Sequence, residues 1–341
     1  MSMLFGRTGR RPGIASAFVV AISAFAAASP AADLPASVSI GTHRVGLSYN
    51  SVGVGVAKVV NEKSPIKMFV KPFAGPNAWM PLLDSGELEL GVLSSMDAGW
   101  AYLGGPGYKR KHANVRILMR GNSIETLVIT RASSNIRTMK DVKGRSLTSH
   151  FGGNIVARNI LEVYLASAGL GWNDVKNVPV PDVASSMRSL QEGRVEVAFG
   201  GAPDTGRELD AAIGLRALSI ADAKAATARA EQILPGARPV PIKAGKGWLK
   251  EDVNGLGYSI YLAASAKLSD AGAYEIVKTL WAHYKELQAI HPWLRGWSPE
   301  TMFNPDSPAP LHDGAIRFYR EKGLWSATAE ANQKKLIGAA K

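Results

Sequence analysis

Shifting the chain by 107 residues lays His43 on His150 and Asp97 on Asp204, so two histidines and two carboxylates recur as matched pairs. Such a set has the donor chemistry of a divalent-metal site. No short ligand spacing accompanies it, however, which argues against a metal centre and for residues that line or brace a binding cleft. Arg44 directly follows His43, and Arg158 lies a few residues beyond His150. A guanidinium pairs bidentately with a carboxylate, so each arginine is a candidate clamp for an organic anion, the alternative being a solvent-facing side chain. Ser48, Ser94, Ser95 and Asn154 offer hydroxyl and amide groups that orient a solute or else cap helices and turns. Tyr49 is placed to stack on a solute or to wall the cleft.

Several chemistries are excluded or left without support. The chain has no cysteine, which removes thiol nucleophiles, thiolate metal sites and disulfides. Gly-x-Ser-x-Gly, a P-loop and a complete dinucleotide fingerprint are all missing, and Gly53-Val-Gly55 is only a fragment of the last. A Ser48–His43–Asp97 triad would have to be assembled in space, with nothing in the sequence to favour it. No cofactor is expected, and a binding function is expected over an enzyme. The formal charge is +12, from 40 Lys and Arg against 28 Asp and Glu. These cations are scattered, Lys109–Lys111 being the densest run, and no nucleic-acid motif accompanies them. A solvated basic surface that mildly favours small anions is the better reading.

The elements that must hold these residues follow from pattern. Strands are expected at Val38–Gly41, Ile66–Lys71, Leu88–Leu93, Val115–Arg120, Glu125–Arg131, Arg145–Ser149, Val175–Val180, Val195–Phe199 and Gly255–Ser265. Helices are expected at Val52–Asn61, Asn77–Leu83, Asp97–Leu103, Asn154–Ala168, Ala184–Gln191 and Ala273–Ile290. Leu234–Pro241 reads as irregular and Pro-rich, and the tail from Ser326 as fraying. Alternating strands and helices predict an α/β fold with mostly parallel sheets. The 107-residue register is wide: Ser39–Gly46 falls on Ser146–Gly153 and Met80–Leu90 on Met187–Val197, both without a gap. A period that long is a domain, not a solenoid repeat, so two similarly built lobes are expected, with matched loops lining a cleft between them. Helix N-termini beyond the strand ends suit an anion.

The start of the chain has the layout of a secretory signal. Arg7, Arg10 and Arg11 precede an apolar run, Ile14–Ala28, that is short for a membrane span, and the small-residue stretch Ser29–Ala32 follows. Cleavage is expected near Ala31, with export to the periplasm. The Arg10–Arg11 pair is a weak twin-arginine signal because Pro12 follows it.

Ser39-Ile-Gly-Thr with Gly46-Leu-Ser48-Tyr49, Leu83-Asp-Ser-Gly86-Glu-Leu-Glu89-Leu, Gly200-Gly-Ala-Pro203, and Pro310-Leu-His-Asp-Gly314-Ala-Ile-Arg-Phe-Tyr-Arg-Glu-Lys-Gly-Leu324 occur in that order. Together they resemble the TAXI-type solute receptors of TRAP transporters, two-lobed periplasmic binding proteins of type II. The resemblance spans essentially the whole chain after the leader. It implies a monomeric receptor that closes over a small organic anion, a carboxylate or amino-acid-like solute, and delivers it to the membrane subunits of a TRAP-type transporter. From the pattern, lobe 2 is expected to be an insertion, 133–254, entered and left through paired crossover strands, with lobe 1 comprising 33–132 and 255–341. Ser48, Tyr49, Ser94, Ser95, Asn154 and Arg158 fall in its ligand-facing stretches. His43 and Arg44 stand where the family has loop glycines, so the ligand is less constrained than the scaffold. A periplasmic sensor for a membrane signalling partner would carry the same features.

Overall fold

A computed structural model describes residues 1–6, 9 and 34–340. The apolar run Ile14–Ala28 and the expected cleavage site lie outside the described residues. Among the described residues no helix is long and apolar enough to cross a membrane.

The first third of the chain alternates strictly: β1 (Ser37–Thr42), α1 (Ser48–Lys63), β2 (Lys67–Pro72), α2 (Pro76–Ser85), β3 (Leu90–Ser94), α3 (Ser95–Leu103). A long strand, β4 (Val115–Arg131), leads out of this half. The second half repeats the alternation with β5 (Ser146–His150), α4 (Ile155–Ser167), β6 (Lys176–Val180), α5 (Val183–Gln191) and β7 (Val197–Gly201). It continues through α6 (Arg207–Ile213), β8 (Leu215–Leu218), α7 (Ala223–Ile233) and β9 (Arg238–Ile242). A second long strand, β10 (Val253–Ser265), returns to helices α8 (Asp270–Ala282), α9 (Tyr284–Ile290), α10 (Pro299–Met302), α11 (Asp313–Glu321) and α12 (Ala327–Ala340).

The internal repeat is reproduced in strand register. β1 pairs in parallel with β2 and β3, with Ser39 opposite Phe69 and Ile40 opposite Leu90. β5 pairs in parallel with β6 and β7, with Ser146 opposite Lys176 and Leu147 opposite Val197. Every one of these pairs differs from its counterpart by 107 residues. A hydrogen bond recurs with them: the Ser39 N–H donates to Glu89 Oε2 (2.7 Å) and the Ser146 N–H to Glu196 Oε2 (3.1 Å). α1 and α4 start one offset apart, as do α2 and α5. The two halves are thus one supersecondary plan used twice, and both turn their strand ends toward the same loops.

Joining them are β4 and β10, which lie antiparallel along one another from Val115–Ser265 to Thr126–Leu256. The strand order is β2-β1-β3-β10-β4-β7-β5-β6, with β8 added on β4 and β9 on β10. The larger core runs through both halves, including Ile40, Leu90, Leu262, Ile160 and Phe199, and a smaller one gathers Leu127, Leu190, Leu215 and Trp248.

Four sequence expectations change. The strands Val115–Arg120 and Glu125–Arg131 are one, because β10 pairs across Ser123 and Ile124 and a register shift absorbs the irregularity. Ala273–Ile290 is two helices, because His283 turns out of helical backbone (φ −108°, ψ 26°) and ends one while starting the next. Leu234–Pro241 is not wholly irregular, since β9 is an edge strand that tolerates Pro239 and Pro241. The tail is helical: Gln333 binds both Leu311 N–H and Leu311 O, and Leu336 is buried.

Candidate functional site

Where the loops of the two halves meet, a cavity is enclosed. Its first wall comes from the β1–α1 loop and the first turn of α1 (His43, Leu47, Ser48, Tyr49), together with Asp97 in α3. Its opposite wall comes from Asn154, Val156 and Ile160 of α4 and from Phe199, Gly201 and Thr205 around the end of β7. Thr126 of β4 and Tyr258 of β10 close the side toward the crossing strands. The cavity's volume is about 30 Å³, room for ordered water, so a solute of many atoms needs the halves further apart.

Polar groups converge on this space from specific causes. His43 is buried and stacks on Tyr49 with ring centroids 4.1 Å apart and planes 10° from parallel. Burial pushes its imidazole down to about 3 against the opposing pull of Asp182, so it is neutral at physiological pH. Its Nε2 is buried without a hydrogen-bond partner, a cost that a bound solute would relieve. Burial raises the Tyr49 hydroxyl well above its ordinary range, with the neighbouring Tyr258 and Asp97 adding to the rise. Asp97 accepts Ser94 Oγ (2.7 Å) on one oxygen and Tyr108 OH (2.7 Å) on the other. Burial still pushes its carboxyl up to about 6, outweighing those bonds.

Four helices start at or beside the cavity, and three carry a side-chain cap at the N-terminus. Ser94 Oγ accepts the Asp97 N–H (2.9 Å), Asn154 Oδ1 the Ala157 N–H (3.3 Å) and Asp182 Oδ1 the Ser185 N–H (2.8 Å). α1 has none: Leu47 precedes it, and Ser48 and Tyr49 line the cavity. The Asn50 and Ser51 N–H groups bond Leu47 O, and those of Ser48 and Tyr49, with the positive end of the dipole, are left for a ligand or for water. Among the described residues no Lys or Arg lines the cavity, and Asp97 is its one carboxylate.

Contacts between the two halves around this cavity include an ion pair, an amide bridge and a close backbone approach. Arg44 Nε donates to Asp182 Oδ2 at 2.5 Å; the carboxylate is fully buried and the guanidinium half exposed. Burial would push Asp182 up, but the Ser185 N–H and Arg44 together hold it below the usual carboxylate range. Asn77 of α2 bridges the halves with one amide: its Nδ2 donates to Gly107 O and its Oδ1 accepts the Ile155 N–H, both at 3.0 Å. Gly75 lies so close to the Gly153 carbonyl that an added Cβ would stand 2.2 Å from the oxygen.

The expected site residues divide accordingly. His43, Ser48, Tyr49, Asp97 and Asn154 meet at the cavity; Ser94 stands behind Asp97, and Arg44 is at the lip, spent on Asp182. Arg158 turns away to Glu162 (3.1 Å) and lies over the Trp172 ring (5.1 Å). Asp204 pairs with Arg207 (2.7 Å), His150 is exposed, and Ser95 opens onto another pocket. The loop bearing His150 is strained, with His150 (φ 69°) and Phe151 (φ 50°) both left-handed. Thr126, Thr205, Tyr258, Tyr108, Asn77 and Asp182 escaped the sequence reading. Thr205 had a signal, since it directly follows the matched Asp204; the others had none.

Breaking the Arg44–Asp182 pair is testable without a ligand. Arg44→Ala strands a buried carboxylate, and because Arg44 is half exposed the expected cost is about 1–2 kcal/mol by urea unfolding at pH 7. Asp182→Asn should recover part of that loss in the double variant. No loss in Arg44→Ala would reduce the pair to a crystal-like surface contact of no energetic weight.

A profile of the NMT1-like family matches residues 40–323. The chain belongs to the NMT1-like family. Its structure is similar to the alkanesulfonate-binding protein SsuA from Xanthomonas axonopodis pv. citri bound to MOPS, with a TM-score of 0.50 and 15% identity over 91% of this chain and 99% of that one. An ancestral arginine-binding protein bound to arginine aligns with a TM-score of 0.49 and 13% identity, over 78% of this chain and 100% of that one. A TctC solute binding protein from Polaromonas aligns at 0.44 with 16% identity, over 89% and 98%. This NMT1-like chain has the two-lobed α/β fold of the periplasmic binding proteins, and its cavity lies where the repeated loops of the lobes face each other.

Proposed function

We propose that the protein is an extracytoplasmic solute receptor that closes its lobes over a small organic anion, a carboxylate or amino-acid-like solute, and delivers it to a TRAP-type membrane transporter, as the TAXI resemblance implies. Binding without turnover is what the TAXI resemblance implies. On this reading the chain is exported after cleavage near Ala31 and acts as a monomer. Lobe 1 is 33–132 with 255–341, and lobe 2 is 133–254.

The observation that carries the proposal is the uncapped N-terminus of α1 opening onto an enclosed cavity beside the unpartnered Nε2 of His43. A solute carboxylate belongs at those N–H groups, which supply the positive potential that no lining cation does. Asp97 suits an ammonium or N–H-bearing end of the same solute. Asn154, Thr126 and Thr205 then fix its orientation, and contacts from both lobes make binding favour the closed form.

Thermal-shift screening of carboxylates, amino acids, sugars and metal ions tests this. A monocarboxylate or amino acid should raise the Tm in a concentration-dependent way, since a ligand stabilises by its excess over Kd. Asn154→Ala should shrink the shift. If only neutral sugars raise the Tm, the anion assignment fails.

A further inference from the structure

A second pocket lies beside the crossing of β4 and β10, apart from the cavity between the loops. Its floor is the place where the two strands slip register: Ser259 faces Ser123, but Tyr261 faces Arg120, so β4 carries one residue more than β10 across this step. α3 supplies one wall with Trp100 and Leu103, and the turn after α7 supplies the other with Pro235 and Gly236. The pocket's volume is about 440 Å³, in the range of small-molecule sites.

Two features of this pocket are unspent. Leu103 is 42% exposed, a large apolar side chain left to water at the rim. Arg120 donates from Nε to Thr301 O (2.9 Å), and among the described residues this is its one hydrogen bond, so both terminal NH2 groups remain available. The guanidinium thus stands fixed by its Nε at the edge of an aromatic and aliphatic surface, a geometry that takes a carboxylate bidentately. Asp306 also lines the pocket and disfavours a second negative charge on the occupant.

We infer that this pocket is a second binding site, for a flat apolar monocarboxylate whose carboxylate pairs with Arg120 and whose body lies against Trp100 and Leu103. It is independent of the solute cavity, from which Asp97 and its partners face the other way along α3's first turn while Ser95 lines the second pocket.

Calorimetry of the full chain with indole-3-acetate, tryptamine and phthalate tests the inference. Indole-3-acetate should bind saturably with one site, while tryptamine, with a similar body and the opposite charge, and the dianion phthalate should not. Arg120→Gln should weaken binding by about tenfold or more. Since Arg120 also holds Thr301 O, a second variant guards against misfolding: Leu103→Glu, at an exposed position, places a carboxylate at the rim and should abolish binding. Asn154→Ala in the solute cavity should leave it unchanged. No saturable binding, equal binding of tryptamine, persistence in both Arg120→Gln and Leu103→Glu, or loss in Asn154→Ala would each overturn the assignment.

Discussion

Replacing Gly75 with alanine should weaken solute capture by about tenfold or more while leaving the protein folded. Gly75 lies in the loop after β2, and Gly153 in the loop after β5, so their contact joins the loops of the two halves directly. A Cβ on Gly75 would stand 2.2 Å from Gly153 O and 2.9 Å from Asn154 Cβ. The carbonyl cannot swing aside cheaply, because Gly153 N–H is bonded to Pro181 O (3.1 Å) and Phe151 N–H to Val180 O (3.0 Å). The methyl group must therefore push the loops apart, and with them the Asn77–Ile155 and Arg44–Asp182 contacts. Each half keeps its own core, so the loss falls on the closed arrangement. Apparent affinity drops by the fraction of molecules still able to close. Solution scattering of the ligand-free protein should show a larger radius for Gly75→Ala than for the parent, and calorimetry with the solute found by screening should show the weaker Kd. Identical scattering and identical affinity would mean that the loops yield and that this contact does not govern closure.

Asp97→Asn should make the protein more stable at neutral pH and poorer at binding. The Asp97 carboxyl is pushed up to about 6 by burial, above its ordinary value, in spite of its bonds from Ser94 and Tyr108. Between about pH 4 and pH 6 the folded chain therefore keeps a proton that the unfolded chain has released. Stability falls as pH rises through that window, and above it the buried charge costs about 3 kcal/mol at most. The asparagine variant carries no such charge. Its advantage in urea unfolding should be largest at pH 7, shrink through pH 6 and 5, and vanish near pH 4. A variant less stable than the parent by the same amount at every pH would show that the carboxylate's bonds outweigh its desolvation. A costly buried charge on a cavity wall is the sign of a group kept for a ligand, and the same variant should lose affinity for an amino-acid-like solute.

The alternation of strands and helices was legible in the chain because the packing of an α/β layer imposes its period on every element. The repeat was legible too. His43 and His150 share an offset with the Ser39–Glu89 and Ser146–Glu196 hydrogen bonds because one folding plan needs the same residues at the same register twice. What the repeat could not reveal is that equivalent positions have diverged in use: Asp97 is buried on the cavity, whereas Asp204 pairs with Arg207 outside it. Arg158 illustrates the same point. Its place at the start of α4 is local, but whether it faces a solute or Glu162 and Trp172 depends on the rotation of α4 against its neighbours and on what α7 brings beside it.

By itself, then, the amino-acid order determined the two-fold plan, the mixed α/β class and the loops that face each other, because these depend on periodicity and register within continuous segments. The tertiary structure alone decided which side chains share the cavity. Thr126 and Tyr258 reach it from two long crossing strands, positions fixed by the antiparallel pairing of β4 with β10 over a separation of more than a hundred residues, and Tyr108 supports it from the loop after α3 through its bond to Asp97. No local pattern encodes that meeting, since each of these residues is locally indistinguishable from an ordinary core or turn residue. Burial then sets the chemistry of the cavity, by holding His43 neutral even in mild acid and by making Asp97 harder to ionise than a carboxyl in water.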